Sequence, residues 1–303
     1  MVLSSKAPIH RIHEQLIELG LCRIDSLEPF HPVVRDRDDV GALRCRESGV
    51  VVLDRIDHIA DGYYTEKTHT DLAALGDRRR VAAALEEDTV RRVDRWAPLV
   101  TNKRWLDVGT GAGAIIEAMG DRPLSAAAVE PQGEFQELLR TQGFEVFADI
   151  IDVDDSTIDL ITLFHVFEHL PDPMGALGEY RRSLAPGGRI VIEVPHARDL
   201  LLDFLGLDAF KAFTLWGEHL MLHTRESLRR LLREAGFEQI TIRGLQRYPL
   251  ANHLHWLARN APGGHQTWSA LRDDDVDNAY SGLLARLDAT DTLIAEAVLP
   301  PGS

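Results

Sequence analysis

Three glycines at alternate positions follow an aspartate at the end of an apolar run, in a stretch well suited to hold a ligand. The segment contains Asp107, Gly109, Thr110, Gly111 and Gly113. The run before it predicts a buried strand, and the residues after it, up to Met119, predict a helix. Glycines in such a turn let the backbone approach a ligand, while the helix N-terminus attracts its polar groups. The pattern therefore predicts a site for a nucleotide-containing cofactor.

Two cofactors fit this turn. Gly109, Gly111 and Ala114 satisfy the dinucleotide pattern G-x-G-x-x-G/A, and Glu130 lies about where the ribose-binding acid of that pattern is expected. Asp107 precedes the first glycine by two residues, and a carboxylate there suits a ligand with an ammonium group but repels a pyrophosphate. With that aspartate, residues 107–113 resemble the first motif of the class I S-adenosylmethionine-dependent methyltransferases. The resemblance implies S-adenosylmethionine as cofactor, and an NAD-dependent enzyme is the alternative.

The order of predicted elements is similar to that of the same family. After the glycine turn, strands are predicted over 125–130, 143–147, 158–164, 189–194, 237–243 and 291–299. The near-continuous apolar run of 158–164 is typical of a parallel strand buried on both faces. The resemblance covers roughly residues 78–243 and the last strand. It implies a Rossmann-like α/β fold, with a seven-stranded sheet of order 3-2-1-4-5-7-6, an antiparallel seventh strand and helices on both faces.

The same resemblance implies further cofactor contacts. Glu130, at the end of the second strand, would accept both ribose hydroxyls, since a carboxylate can accept two such hydrogen bonds. An acid and the next amide after the third strand would meet the adenine ring. A histidine after the fourth strand would border the methionine end, and a tyrosine ahead of the core would cover the cofactor. These residues are, in the same order, Asp149 with Ile150, then His165, then either Tyr63 or Tyr64. Pro131, which directly follows Glu130, is a further predicted cofactor contact.

His165, Glu168 and His169 form the pattern H-x-x-E-H, which is also the zinc motif of a class of metallohydrolases. That motif must lie on a helix so that both histidines share a face, whereas here it follows a strand and runs into Pro171 and Pro173. The same letters resemble the methyltransferase segment after the fourth strand, where a Glu–His pair mainly fixes the loop. No metal is expected, but a few related O-methyltransferases bind a divalent metal near this loop, which leaves metal assistance open.

His219 is the predicted general base. A neutral imidazole has a pKa near ~6.5, close to the pH at which a base is most useful. Glu218 beside it would orient the ring, and His223 is the neighbour that would replace it. The Glu218-His219 pair resembles that of the sugar C-methyltransferases, whose histidine is thought to remove a proton next to a keto group. A tyrosine of that family is Leu222 here, and its large C-terminal domain has no counterpart, so a base for an alcohol or phenol is the stronger expectation.

Two insertions, at about 196–223 and 244–290, are expected to cover the substrate. The second has aromatic and polar residues punctuated by turn formers, which is typical of binding loops. The predicted substrate contacts are Tyr248, Asn252, His253 and Trp256. Histidines of both insertions could alternatively gather around a metal, namely His219, His223, His253 and His255.

Residues 1–77 are predicted to form an N-terminal helix and a small ribbon-like module, and residues 78–303 the methyltransferase core. Several methyltransferase families carry a zinc ribbon ahead of the core, built on two C-x-x-C pairs. Cys22 and Cys45 match the first member of each pair, but Asp25 and Ser48 occupy the second positions. Such a ligand set is a poor zinc site, so a degenerate ribbon without metal is expected.

The composition fits a soluble protein with a small-molecule partner. A chain of 303 residues with 45% hydrophobic content can bury a sizeable core, and a formal net charge of −15 argues against binding nucleic acid through its phosphates. Two cysteines do not make a disulfide framework, and no apolar run approaches the ~18 residues of a membrane span. The N-terminus lacks a signal-peptide pattern, so we expect a cytoplasmic protein.

The predicted function is methyl transfer from S-adenosylmethionine to a small molecule, such as a sugar nucleotide, a glycoside or another natural-product intermediate. Transfer is an in-line displacement at a sulfonium methyl, so the protein must position both reactants and supply a base for an alcohol or carbon nucleophile. Two alternatives remain. One is a non-catalytic S-adenosylmethionine-binding partner in a biosynthetic complex, and the other is an NAD-dependent enzyme.

Overall fold

A computed structural model of the chain describes residues 9–59, 62–66 and 86–302. The strands are β1 (Leu27–His31), β2 (Ala42–Cys45), β3 (Val51–Leu53), β4 (Arg104–Val108), β5 (Ser125–Val129), β6 (Glu145–Phe147), β7 (Ile158–Phe164), β8 (Leu184–Pro195), β9 (Met221–Leu222), β10 (Glu238–Leu245) and β11 (Thr292–Val298). The α-helices are α1 (Arg11–Glu18), α2 (Tyr63–Glu66), α3 (Glu86–Val100), α4 (Ala114–Met119), α5 (Gly133–Thr141), α6 (Pro173–Ser183), α7 (Asp208–Thr214), α8 (Arg225–Glu234), α9 (Leu250–Arg259), α10 (Gly264–Thr267) and α11 (Asp274–Leu287).

The main sheet has seven strands in the order β6-β5-β4-β7-β8-β11-β10. Strand β4 pairs in parallel with β5 and β7, whereas β11 is antiparallel to both β8 and β10. With β4 as the first core strand, this is the predicted order 3-2-1-4-5-7-6 with its seventh strand reversed. The predicted fold class is confirmed.

Apolar clusters cover both faces of this sheet. Side chains alternate between the faces of a strand, so Trp105 joins the cluster with Ile116 and Leu139, while Leu106 joins the other cluster with Ile161. Parallel strands buried on both faces require this near-continuous apolar sequence. Because these strands are parallel, their carboxyl ends meet at one edge of the sheet, where the rigid core can position polar side chains.

A second, four-stranded sheet has the order β1-β2-β3-β9. Its first three strands come from the predicted N-terminal module, and β2 and β3 pair as an antiparallel hairpin. Strand β9 comes from the first predicted insertion and pairs Met221 and Leu222 with Val52 and Val51. The N-terminal module and the insertion thus share a sheet. The predicted boundary between residues 77 and 78 lies outside the described residues, and the division stays a prediction.

Within the described ranges, no helix is both long and apolar enough to cross a lipid bilayer.

Candidate active site

The glycine turn after β4 has positive φ at each of its three glycines: 70° at Gly109, 56° at Gly111 and 80° at Gly113. An added Cβ on Gly109 would lie 2.5 Å from a methyl group of Val166, and one on Gly113 would overlap Leu139. At Gly111, in contrast, an added Cβ would meet nothing within 4 Å. The turn is therefore packed against the protein at its two ends and open at its centre, which is the shape of a ligand cradle.

Glu130 lies directly after β5 and faces this turn. Its side chain is buried, with one carboxylate oxygen accepting the Gly111 N–H at 2.8 Å and the other accepting the Gln132 N–H at 2.9 Å. Burial raises the pKa of Glu130. Each oxygen retains a second lone pair, so the carboxylate can still accept hydrogen bonds from a ligand such as a ribose. The backbone bonds fix its orientation for that role.

Asp107 is held at the end of β4 by a buried chain of hydrogen bonds. The Trp105 indole N–H donates to the Thr162 hydroxyl at 2.8 Å, and that hydroxyl donates to Asp107 at 2.5 Å. Burial raises the pKa of Asp107 to about 6. A carboxylate in so apolar a position is stabilised by a nearby positive charge, which agrees with a ligand that carries one.

A cavity of about 450 Å³ opens beside the carboxyl ends of β7 and β8. Both predicted insertions form its walls. The first contributes Phe210 and Phe213, whose rings contact Trp256 of the second with centroid distances of 5.1 and 5.2 Å. Its polar lining includes His165, His196, His219, Arg247, Asn252 and His253.

A buried carboxylate with three histidines around it lies at one wall of this cavity; we call it the Glu168 cluster. It consists of Glu168, His165, His169 and His219. Glu168 Oε1 lies 3.1 Å from His165 Nδ1, 3.9 Å from His169 Nε2 and 4.0 Å from His219 Nε2. The His219 segment is tied to this loop because the Leu220 N–H donates to the Glu168 carbonyl at 2.9 Å.

The pKa values of His219 and Glu168 are both lowered, but for different reasons. Burial lowers the pKa of His219 to about 3, so this ring is neutral at physiological pH. Burial alone would raise the pKa of Glu168, but the hydrogen bond from His165 and the nearby histidines lower it to about 2. The cluster therefore holds a fixed negative charge against a neutral imidazole at the cavity wall.

Comparison with known proteins assigns the chain to a family. A family model described as a methyltransferase domain matches residues 77–242, more than half of the chain. The chain belongs to this methyltransferase family. Ubiquinone biosynthesis O-methyltransferases from Psychrobacter arcticus and Thiobacillus denitrificans are 29% and 27% identical over 53% of this chain and over 68% and 75% of their own lengths. The fold is similar to that of a SAM-dependent methyltransferase from Archaeoglobus fulgidus (TM-score 0.50, 19% identity, 75% of this chain and 97% of that one).

The protein is thus a class I S-adenosylmethionine-dependent methyltransferase, and the NAD-dependent and non-catalytic alternatives are set aside. The residues present fit the cofactor, because the Gly111 cradle is open and Glu130 has lone pairs to spare beside it. Asp107 lies at the base of the same turn. When bound, S-adenosylmethionine supplies an electrophilic methyl group on a sulfonium sulfur.

The other predicted cofactor residues of the methyltransferase lie in different environments. Asp149 is exposed and accepts the Ile151 N–H at 3.1 Å, while Ile150 is buried and Pro131 half-buried. Tyr64 donates from its hydroxyl to the His169 carbonyl at 3.1 Å, so it lies against the loop after β7. Their contacts with the cofactor stay predictions.

The three predicted catalytic residues are not brought together. His219 lines the cavity, but His223 is fully buried behind it, stacked on Phe167 at a centroid distance of 5.3 Å. Glu218 accepts a hydrogen bond from the Tyr63 hydroxyl at 3.0 Å, and Glu168 is the carboxylate recorded within 4.0 Å of the His219 ring. The roles proposed for Glu218 and His223 stay predictions without a contact at the cavity.

All four predicted substrate residues of the methyltransferase line the cavity: Tyr248, Asn252, His253 and Trp256. In the described part of the chain, the four histidines of the alternative metal site do not converge. His253 bonds through Nδ1 to the Tyr280 hydroxyl at 2.6 Å, and His255 through Nδ1 to the Ala261 carbonyl at 2.9 Å. Among the described residues, the metal-capable group with three donors is instead Glu168, His169 and His219.

The H-x-x-E-H segment of the methyltransferase is not a continuous α-helix. His165 has φ of 58°, and a single 3-10 turn covers Phe167–His169. This excludes the helical zinc-hydrolase arrangement, as the prolines predict. In the N-terminal module, Cys22 and Cys45 are buried, while the Asp25 side chain is 71% exposed and pairs with Arg23 at 3.1 Å. Asp25 therefore points away from the two thiols.

Sequence reasoning missed an ionic network that reaches the cavity. Glu193, inside β8, is completely buried, and its partners are Arg91 at 2.9 Å and Arg92 at 2.7 Å. Arg247 pairs with Asp88 and donates to His165 Nε2 at 3.0 Å. The sequence signal is an acid within the apolar strand Ile-Val-Ile-Glu-Val, because a buried carboxylate needs a cationic partner.

Proposed function

We propose that this methyltransferase transfers the methyl group of S-adenosylmethionine to a hydroxyl oxygen of a small molecule bound in the cavity. The observation that carries the proposal is the position of the Glu168 cluster, at the wall of a cavity that opens at the carboxyl edge of the cofactor-binding sheet. An oxygen acceptor needs help in losing its proton, and this cluster provides polar groups for that purpose. The relatives from Psychrobacter arcticus and Thiobacillus denitrificans are O-methyltransferases by name, which supports oxygen as the acceptor atom.

The lining of the cavity favours a neutral acceptor with an apolar or aromatic body. Phe210, Phe213 and Trp256 offer ring surfaces, and a volume of about 450 Å³ suits a small ligand. Of the described residues at this lining, only Arg247 is a permanent cation, and it already pairs with Asp88. A sugar nucleotide would bring a diphosphate that needs free cationic donors. We therefore favour a phenol, glycoside or other hydroxylated intermediate over a sugar nucleotide.

The chain's residues have three tasks in the reaction. The glycine turn and Glu130 orient the adenosyl group, the two insertions exclude water, and the Glu168 cluster activates the hydroxyl. The acceptor oxygen forms a bond to the methyl carbon, the carbon–sulfur bond breaks with its electron pair going to sulfur, and the hydroxyl proton leaves. Two routes for that proton are open. Either His219 accepts it directly, as predicted, with Glu168 stabilising the imidazolium, or a cation held by the cluster would make the hydroxyl more acidic and its proton would pass to solvent.

A test of the function is turnover with radiolabelled S-adenosylmethionine and a panel of phenols, glycosides, amines and sugar nucleotides. We expect O-methylated product from hydroxylated, uncharged acceptors. His219→Ala should lower kcat by about 10²–10⁴-fold and leave S-adenosylhomocysteine affinity nearly unchanged, because His219 contacts the acceptor side. His31→Ala, in β1, is the matched control. Methylation at nitrogen or carbon, or cofactor binding without turnover of any hydroxylated acceptor, would contradict the proposal.

A further inference from the structure

We propose that Glu168, His169 and His219 bind a divalent transition-metal cation at the wall of the acceptor cavity. The role of this cation in activating a hydroxyl rests on the proposed function, but its binding does not. Two imidazole nitrogens and one carboxylate oxygen converge on one point, although His219 lies 50 positions beyond His169 along the chain.

The donor atoms lie slightly farther apart than they would around a bound metal ion. His169 Nε2 and His219 Nε2 lie 3.9 and 4.0 Å from Glu168 Oε1, and one donor atom of each residue lies within 4.8 Å of the other two. Three atoms so placed each need to move by roughly half an ångström to reach about 2.0–2.2 Å from a common ion. Rotation of the two imidazole rings can supply that movement.

The carboxylate of Glu168 has unused acceptor capacity. Its side chain is 0% exposed, and Oε2 has no hydrogen-bond partner among the described residues. Burying a carboxylate with one oxygen unsatisfied is unfavourable, and a cation bound at Oε1 between the two imidazoles would compensate the charge of the group. A ligand other than a protein side chain therefore fits this position.

Neighbouring side chains contact two of the three ligands, Glu168 and His169. Both ring nitrogens of His165 are engaged: Nε2 lies 3.0 Å from the Arg247 guanidinium, and Nδ1 lies 3.1 Å from Glu168 Oε1. Ligating carboxylates commonly accept a hydrogen bond from a neighbouring residue. The Trp216 ring packs edge-on against His169, at a centroid distance of 6.1 Å.

The site is open to the cavity on one side. His169 and His219 side chains are each 17% exposed, and His219 is part of the cavity lining. Three protein ligands leave coordination positions for solvent or a substrate hydroxyl, as in catalytic metal sites. Imidazole donors suit zinc, iron or cobalt better than magnesium, which prefers oxygen ligands. A cation at this place would lower the pKa of a bound hydroxyl without requiring His219 to act as the base.

The test is a titration of the chelator-treated full chain with Co²⁺, followed by visible absorption and elemental analysis. We expect one Co²⁺ per chain, with binding weakened at least about 10-fold in Glu168→Gln and in His219→Ala. His253→Ala removes a cavity histidine outside the cluster and should retain Co²⁺. Cys22→Ser with Cys45→Ser removes the thiols of the N-terminal module, so its unchanged binding and spectrum would exclude that module as the source.

Thermal unfolding and S-adenosylhomocysteine affinity show whether each variant is folded. If Glu168→Gln does not fold, His219→Ala, at the cavity wall, tests the site by itself. Absence of stoichiometric Co²⁺, its retention in both cluster variants, or its loss with the thiols would overturn the cation site. If the metal-free enzyme turns over a hydroxylated acceptor at full rate and binds no Co²⁺, the cation site fails while the proposed function stands. If Co²⁺ binds as expected but no hydroxylated acceptor is methylated, the proposed function fails and the site stands.

Discussion

Asp199 gives the fold a pH dependence that a single substitution should remove. It follows β8, is buried, and accepts the backbone N–H groups of Leu201 at 2.7 Å and Leu202 at 3.0 Å. Burial, together with the negative charge of Asp291, raises the pKa of Asp199 to about 7. Asp199→Asn keeps a carbonyl oxygen for the two backbone bonds but carries no charge.

The sign and size follow from proton binding. A carboxyl with a higher pKa in the folded state binds more protons when folded, so the free energy of unfolding falls as pH rises from the ordinary value of 3.8 to about 7. That difference corresponds to about 4 kcal/mol, at about 1.36 kcal/mol per pH unit. Part of the penalty is already present at pH 5. Between pH 5 and pH 8, the stability of Asp199→Asn relative to the wild type should therefore increase by about 2–3 kcal/mol.

The assay is urea unfolding of both proteins at pH 5, 6, 7 and 8 at constant ionic strength. Asp208→Asn, whose side chain is 91% exposed in the same insertion, is the control and should show a nearly constant difference from the wild type. A stability difference for Asp199→Asn that does not change with pH, or that shrinks toward pH 8, would refute the reasoning. The folded protein would then stabilise the charged form of Asp199 to the same extent as water does in the unfolded chain.

Two further predictions concern the cofactor turn. Glu130→Ala should weaken S-adenosylhomocysteine binding by about 1–3 kcal/mol in calorimetry, because a charged acceptor is lost. The control Glu145→Ala, at an exposed position, should leave the affinity unchanged. An unchanged affinity in Glu130→Ala would contradict its role at the ribose. Gly113→Ala should destabilise the protein by about 1–3 kcal/mol more than Gly111→Ala in urea unfolding, since its Cβ would overlap Leu139 while that at Gly111 faces open space. Gly111→Ala should instead mainly weaken cofactor binding, and equal stability losses would show that packing does not distinguish the two glycines.

Much of the fold could be predicted because it depends on local sequence. The apolar runs of β4, β7 and β11, each bounded by turn formers, identify strands without knowledge of their partners. The strand order came from the resemblance carried by residues 107–113, since adjacency in a sheet is not written in any one strand. The predicted substrate contacts Tyr248, Asn252, His253 and Trp256 all line one cavity, and their contact with a substrate stays a prediction.

The sequence by itself determined the parallel core and the cofactor turn, because hydrophobic periodicity and the backbone freedom of Gly111 act within a few residues. Only the tertiary structure decided which carboxylate meets His219. Residues 216–219 form a turn, in which the His219 N–H donates to the Trp216 carbonyl at 3.1 Å, and Glu218 accepts from Tyr63 there. The backbone bond from Leu220 brings Glu168 to His219 across 51 residues. The same segment continues into β9, which pairs with β3, and no local sequence pattern encodes either contact.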